Sequence, residues 1–231
     1  MHNSISERAL NLKKFTDRGW EPFKEEYLIH LHELLKIIKE IGEPLEGNIF
    51  YANLETNLTD ELQANFFEKR RNLALFSLAH NSILEIGFNS GFSALLLLTA
   101  NKSLRLTCVD ICYHKYTIPC FNYLKSIFNN RIELIESNSL MAFPLINLES
   151  CQKPNAFIID GGHGLDVAEA DLLNVITYSD KGSIICFDDS DFPDLRVLLD
   201  IYLLKGTLIS ISDTPKGHIQ DGSQMFFINN K

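Results

Sequence analysis

The chain reads as an α/β protein: a doubly wound, mainly parallel sheet with an antiparallel ending, preceded by a helical extension. Three observations predict it. From residue 82 onward, short runs that are apolar throughout alternate with amphipathic segments, the pattern of strands buried on both faces and joined by crossover helices. The first of these runs, Ile83-Leu84-Glu85-Ile86, enters a turn containing Gly87 and Gly91 and then a helical segment from Ser93. The last two runs, Leu208–Ser212 and Met225–Ile228, are separated by a polar link too short for a crossover helix, so they pair antiparallel.

Each element follows from its own pattern. Residues 1–58 form the helical extension, and 59–231 the main domain. In the extension, Leu28, Leu31, Leu34, Leu35, Ile38 and Ile41 recur at helical spacing until Gly42 and Pro44 stop the helix. A second helix is predicted from Thr59, a capping residue, to about His80. The alternation then gives a helix over Ser93–Ala100, a strand over Leu104–Val109 and a helix near Thr117–Phe128. Next come a strand over Ile132–Ile135, a short helical piece at Leu140–Phe143 and a strand over Ala156–Ile159. A helix over Leu165–Tyr178, a strand over Ser183–Phe187 and a helix over Leu195–Leu204 complete it, with Asp191 and Asp194 as its candidate caps. Trp20, Phe23 and Tyr27 of the extension are expected to cover the sheet's carboxyl edge, as an acceptor pocket or as a dimer surface.

Composition narrows the function. Of 231 residues, 30 are acidic and 21 basic, for a formal charge of -9. Such a surface repels phosphate backbones, and Lys69-Arg70-Arg71 is a small basic cluster, so no nucleic-acid partner is expected. No run approaches the roughly 18 apolar residues of a membrane span, and the N-terminus lacks the basic and apolar regions of a signal peptide. The five cysteines form no CxxC pair. Reduced, mostly buried thiols in a cytoplasmic protein are the expectation.

The glycine loop carries the most chemistry. In a doubly wound sheet the ligand crevice opens outside the carboxyl ends of the strands, at this first turn. The spacing is Glu85-x-Gly87-x-x-x-Gly91, not the GxGxxG of a dinucleotide fingerprint. Pyrophosphate prefers helix N–H groups with no anion nearby. A carboxylate at Glu85 instead suits a cationic or zwitterionic ligand. Asp110 ends the next strand, where an acceptor-only group reaches the two ribose hydroxyls of a nucleoside.

These residues resemble the class I S-adenosylmethionine-dependent methyltransferases over roughly residues 82–231. The resemblance implies a Rossmann-like seven-stranded sheet of order 3-2-1-4-5-7-6, with S-adenosylmethionine across the first two strands. It implies that Glu85, Gly87, Phe88, Asn89, Ser90 and Gly91 line the methionine part, and that Phe88 and Phe92 flank the cofactor. Asp110 would bind ribose, Ser137-Asn138-Ser139 would sit by adenine, and Asp160 would stand beside the cofactor as well. Ser137-Asn138 departs from the Gly-Asp often found in the family at that place.

A second constellation ends strands four and five: Asp160-Gly161-Gly162-His163 and Asp188-Asp189-Ser190-Asp191. Neighbouring carboxyl ends share one crevice. Two bare carboxylates about 4 Å apart repel by about 4 kcal/mol at an effective dielectric near 20, so a proton or a cation belongs between them. Hard oxygen donors suit Mg²⁺, Ca²⁺ or Mn²⁺. The pattern is similar to that of the metal-dependent O-methyltransferases of the catechol, caffeoyl-coenzyme-A and macrocin types. It implies metal ligands at Asp160, Asp188 and Asp189 and a general base at His163, with Asp160 and His163 carrying the chemistry. Both aspartates of the last strand reach one ion only if the chain turns there, as Ser190 and Pro193 favour. The expected reaction is methyl transfer to a hydroxyl of a small molecule, a sugar or a phenol. Two alternatives remain open: a metal-free enzyme with His163 as base, and a non-catalytic nucleoside-binding protein. His30, His32, His80, His114 and His218 have no constellation of chemical groups around them and are read as ordinary histidines.

Overall fold

A computed structural model describes residues 24–47, 49–50, 66–143, 146, 153–211 and 224–231. The extension contributes α1 (Lys24–Ile41), and α2 (Phe67–Ala79) precedes the sheet. Then come β1 (Ser82–Ile86), α3 (Phe92–Ala100), β2 (Arg105–Asp110), α4 (Thr117–Phe128), β3 (Ile132–Glu136) and the one-turn α5 (Ser139–Ala142). They are followed by β4 (Ala156–Ile159), α6 (Leu165–Tyr178), β5 (Ile184–Phe187), α7 (Pro193–Leu204), β6 (Leu208–Ser210) and β7 (Met225–Asn229).

The strands form one sheet of order β3-β2-β1-β4-β5-β7-β6, as the resemblance implies. Pairing is parallel from β3 to β5, while β7 runs antiparallel to both β5 and β6. The register aligns Ile86 with Val109 and Ile159, and Ile159 with Phe187. Gly87, Asp110, Asp160 and Asp188 therefore leave the sheet side by side. The ladder extends one bond further, from Gly87 N–H to Val109 O, Asp160 N–H to Ile86 O and Asp188 N–H to Ile159 O, at 2.8–2.9 Å.

Alternation along the strands builds a core on each face. Ile83, Leu106, Cys108, Ile158, Cys186 and Phe226 face a cluster that includes residues of α1, α2, α3 and α4. Leu84, Ile86, Val109, Phe157, Ile159 and Phe187 face α6 and α7. All nine residues of α3 are buried; each large apolar side chain so placed contributes about 1.5–3 kcal/mol. Tyr27, Leu31, Leu34, Leu35 and Ile38 of α1 join that same core, so the extension packs on a face of the sheet through α1.

Some local expectations give way. Neither Asp191 nor Asp194 caps α7: the N-cap position belongs to Phe192, with Pro193 opening the helix, where its missing N–H costs nothing. The helix expected from Thr59 is present over Phe67–Ala79; its predicted start lies outside the described residues, as do Trp20, Phe23, Cys151 and His218. Cys108, Cys112, Cys120 and Cys186 are free thiols. No helix among the described residues is long and apolar enough to cross a membrane.

Candidate active site

The glycine loop is shaped first by packing. Gly87 adopts φ 93°, and a Cβ there would lie 1.9 Å from the carbonyl oxygen of Asp160, so the tips of β1 and β4 touch only because Gly87 has no side chain. Gly91, at φ 77°, precedes α3, and a Cβ there would meet the Phe88 ring at 2.5 Å. Asp110 then clasps the loop. Its Oδ2 accepts from the N–H groups of Phe88 and Asn89, both at 2.8 Å, and its Oδ1 accepts from Cys112 N–H at 2.7 Å. The expected ribose ligand is thus also the residue that fixes the backbone beside the crevice.

Side chains of the loop differ from expectation. Phe88 is only 1% exposed and packs edge-on against Phe121, while Phe92 packs edge-on against Phe50. Both rings lie in the hydrophobic core; Ser90 is buried too. Glu85 is wholly buried in mid-strand, with the Cys108 thiol 3.4 Å from Oε2 and no hydrogen-bond partner for Oε1. Burial pushes its carboxyl up to about 7, against the pull of Ser93 and Cys108. Past β3, Ser137 N–H donates to Asp110 O at 2.9 Å, and Asn138 Oδ1 caps α5 by accepting Leu140 N–H at 3.0 Å. Ser139 lies in reach of the buried Asp171 carboxyl of α6.

The β4 and β5 ends converge as expected. Asp160, His163 and Asp189 each place one potential ligand atom within 4.8 Å of the others. Asp189 itself makes the turn, at φ 54°. His163 Nε2–H donates to Asp189 Oδ2 at 2.7 Å, and the Phe192 ring stacks on the imidazole, with centroids 5.7 Å apart and planes 18° apart. The Asp189 bond holds the imidazole above its ordinary pKa despite partial burial. Burial alone would raise Asp189, yet the His163 bond and the Lys69 charge bring it below the usual aspartate value.

Sequence reasoning missed Lys69. Its ammonium, carried by α2, lies 2.5 Å from Asp188 Oδ2, with the two side chains 13% and 2% exposed. Burial favours a neutral amine, but Asp188, Asp160 and Asp189 together hold it charged. The carboxyls of Asp160 and Asp188 are both pushed up by burial; Asp188's charge raises Asp160 further, while Lys69 opposes the rise in each. The expected basic cluster is dismantled: Lys69 points into the acids, buried Arg70 donates to Ile49 O at 3.0 Å, and Arg71 pairs with Glu68 at 3.7 Å.

A strap from the extension, residues 43–47, crosses this end of the glycine loop. Asn89 Nδ2 donates to Glu46 O, and Tyr116 Oη–H donates to Asn89 Oδ1 at 2.8 Å. His114, read from the sequence as an ordinary histidine, lies between Glu43 and Glu46 at 2.8 and 2.9 Å and stacks on Tyr116. Its partners precede it by about 70 residues in sequence, so no local pattern signals them.

Comparison with known proteins bears on the fold. Residues 84–190 match the family model described as a methyltransferase domain. The structure is similar to the O-methyltransferase from Bacillus cereus in complex with S-adenosylhomocysteine (TM-score 0.61, 13% identity, 96% of this chain and 97% of that one). It is equally similar to TomG from Streptomyces achromogenes, an O-methyltransferase involved in tomaymycin synthesis, in complex with S-adenosylmethionine (0.61, 13%, 96% of both chains). CalS11, a TDP-rhamnose 3'-O-methyltransferase of calicheamicin biosynthesis, matches with TM-score 0.55 and 17% identity over 90% of this chain and 95% of that one. No curated protein sequence matches. The matched segment, residues 84–190, is similar to a methyltransferase domain and takes in the glycine loop and the acid cluster, and the likeness to these solved structures shows a shared fold.

Proposed function

We propose that the protein transfers a methyl group from S-adenosylmethionine to a hydroxyl of a small molecule, with a divalent cation, Mg²⁺ or a similar hard ion, at the acid cluster. The observation that carries this is the convergence of Asp160, His163 and Asp189 within 4.8 Å beside the glycine loop. The donor set fits a hard cation: carboxylate oxygens predominate, and Asp188 Oδ1 is buried without a hydrogen-bond partner beside the Asp160 carboxyl. Asp160, Asp188 and Asp189 would hold the ion, which when bound lowers the pKa of an acceptor hydroxyl.

The protein's own residues supply the remainder. Asp189 engages Nε2 of His163, which leaves Nδ1 to accept the hydroxyl proton. Phe192 holds the imidazole plane and offers the acceptor an apolar wall, about half exposed. The Asp110 clasp fixes the loop amides, and its remaining lone pairs accept from ribose hydroxyls, with Ser137-Asn138-Ser139 on the adenine side. Solved relatives in complex with S-adenosylmethionine or its demethylated product, and one acting on TDP-rhamnose, support the cofactor and a small-molecule acceptor.

Incubation with methyl-labelled S-adenosylmethionine and a panel of hydroxylated sugars and phenols, with Mg²⁺ or with EDTA, tests the proposal. Labelled ether products that vanish with EDTA are expected. Transfer indifferent to EDTA would remove the cation from the reading, and tight S-adenosylhomocysteine binding without transfer to any acceptor would make the protein a nucleoside binder.

A further inference from the structure

We infer that Lys69 is a built-in counter-cation of the acid cluster, which the divalent ion must displace. The inference rests on the cation reading above. Three carboxyl groups, Asp160, Asp188 and Asp189, gather at the ends of β4 and β5, and His163 pairs directly with Asp189. The remaining charge is met by one ammonium, 2.5 Å from Asp188 Oδ2 and shielded from water. A buried aspartate left unpaired is strongly destabilising, so α2 helps the acid cluster fold before an ion binds. Lys69 and a divalent ion compete for the same oxygens, and two cations crowded among them repel.

The lysine thus sets a threshold: the ion binds only by detaching Asp188 from Lys69, and the detached ammonium moves toward solvent. Lys69 is a positioning residue, since it acts on Asp188 and not on the reacting atoms. Its placement also gives α2 a stake in the cluster, because helix and metal draw on one carboxylate.

Two measurements on the full chain test this. Calorimetric titration of Mn²⁺ into wild type and Lys69→Met should give at least about tenfold tighter binding in the variant. Reductive methylation of wild-type lysines, read by mass spectrometry, should show Lys69 labelling rise severalfold when Mn²⁺ is added. If Mn²⁺ binds wild type and variant alike, or binds the variant more weakly, the competition is overturned while the cation reading stands. If neither chain takes up Mn²⁺, the cation reading fails and the competition with it. Should Lys69→Met not fold, the labelling decides alone: an increase with Mn²⁺ sustains the inference, and unchanged labelling in wild type that has bound Mn²⁺ overturns it.

Discussion

At the β1–β2 end of the carboxyl edge Asp110 is held by three backbone N–H groups, whereas at the β4–β5 end Asp188 is held by the side chains of Lys69 and Asp160, and Asp189 by that of His163. The first arrangement is fixed by strand register and turn geometry, so it stays in place as long as the sheet does. The second depends on Lys69 and His163, and a single substitution can change it. One end of the edge is a frame; at the other, charge and proton position depend on individual side chains.

Substitutions can break or sharpen that contrast. The largest effect belongs to Gly87→Ala, because the added carbon would overlap the Asp160 carbonyl at 1.9 Å. A loss above about 4 kcal/mol is expected, enough to deny a folded product; a wild-type melting temperature would show that the strand tips can part freely. His163→Ala should lower the methyl-transfer rate by about 10²–10⁴-fold and leave S-adenosylhomocysteine affinity unchanged by calorimetry. A parallel fall in affinity would move His163 from the adjustable end to the frame. Asp110→Ala removes the two carboxylate oxygens that accept three backbone hydrogen bonds and should cost roughly 3 to 4 kcal/mol in urea unfolding, with weaker cofactor binding besides. Unaltered stability would mean that the loop holds its shape without the clasp.

The smallest change is a matter of pH. Glu85 holds its proton up to about 7 in the folded protein, against 4.5 ordinarily, so the folded state binds more protons than the unfolded state between those values. Stability contributed by this group therefore falls as pH rises from about 4.5 to 7. Glu85→Gln should match wild type near pH 4.5 and exceed it by roughly 2 to 3 kcal/mol at pH 8 in denaturant titrations. Parallel pH profiles for the two proteins would contradict a buried, proton-retaining Glu85.

What the sequence made legible follows from where each signal lives. The strands stood out because burial on both faces demands uninterrupted apolar runs such as Ala156–Ile159 and Ile184–Phe187. Strand register then forces Asp160 and Asp188 to be neighbours, so the acid cluster was readable too. The loop aromatics misled because Phe88 is next to Gly87 in sequence yet turns its ring into the core. Lys69 was invisible for the opposite reason. Its partner comes 119 positions later, and a lysine beside two arginines suggests solvent until the helix orientation is known. The same holds for His114 and its strap: chain distance hides a pairing that tertiary packing creates.

Lys69 stands fifteen residues ahead of the segment matched as a methyltransferase domain. Anyone transplanting that segment between relatives, or trimming the chain to its first strand, has to carry α2 along. Without it, a graft would arrive with Asp188 in a dry place and nothing opposite its charge. Modular borders in this architecture follow electrostatic closure as much as the points where strands begin.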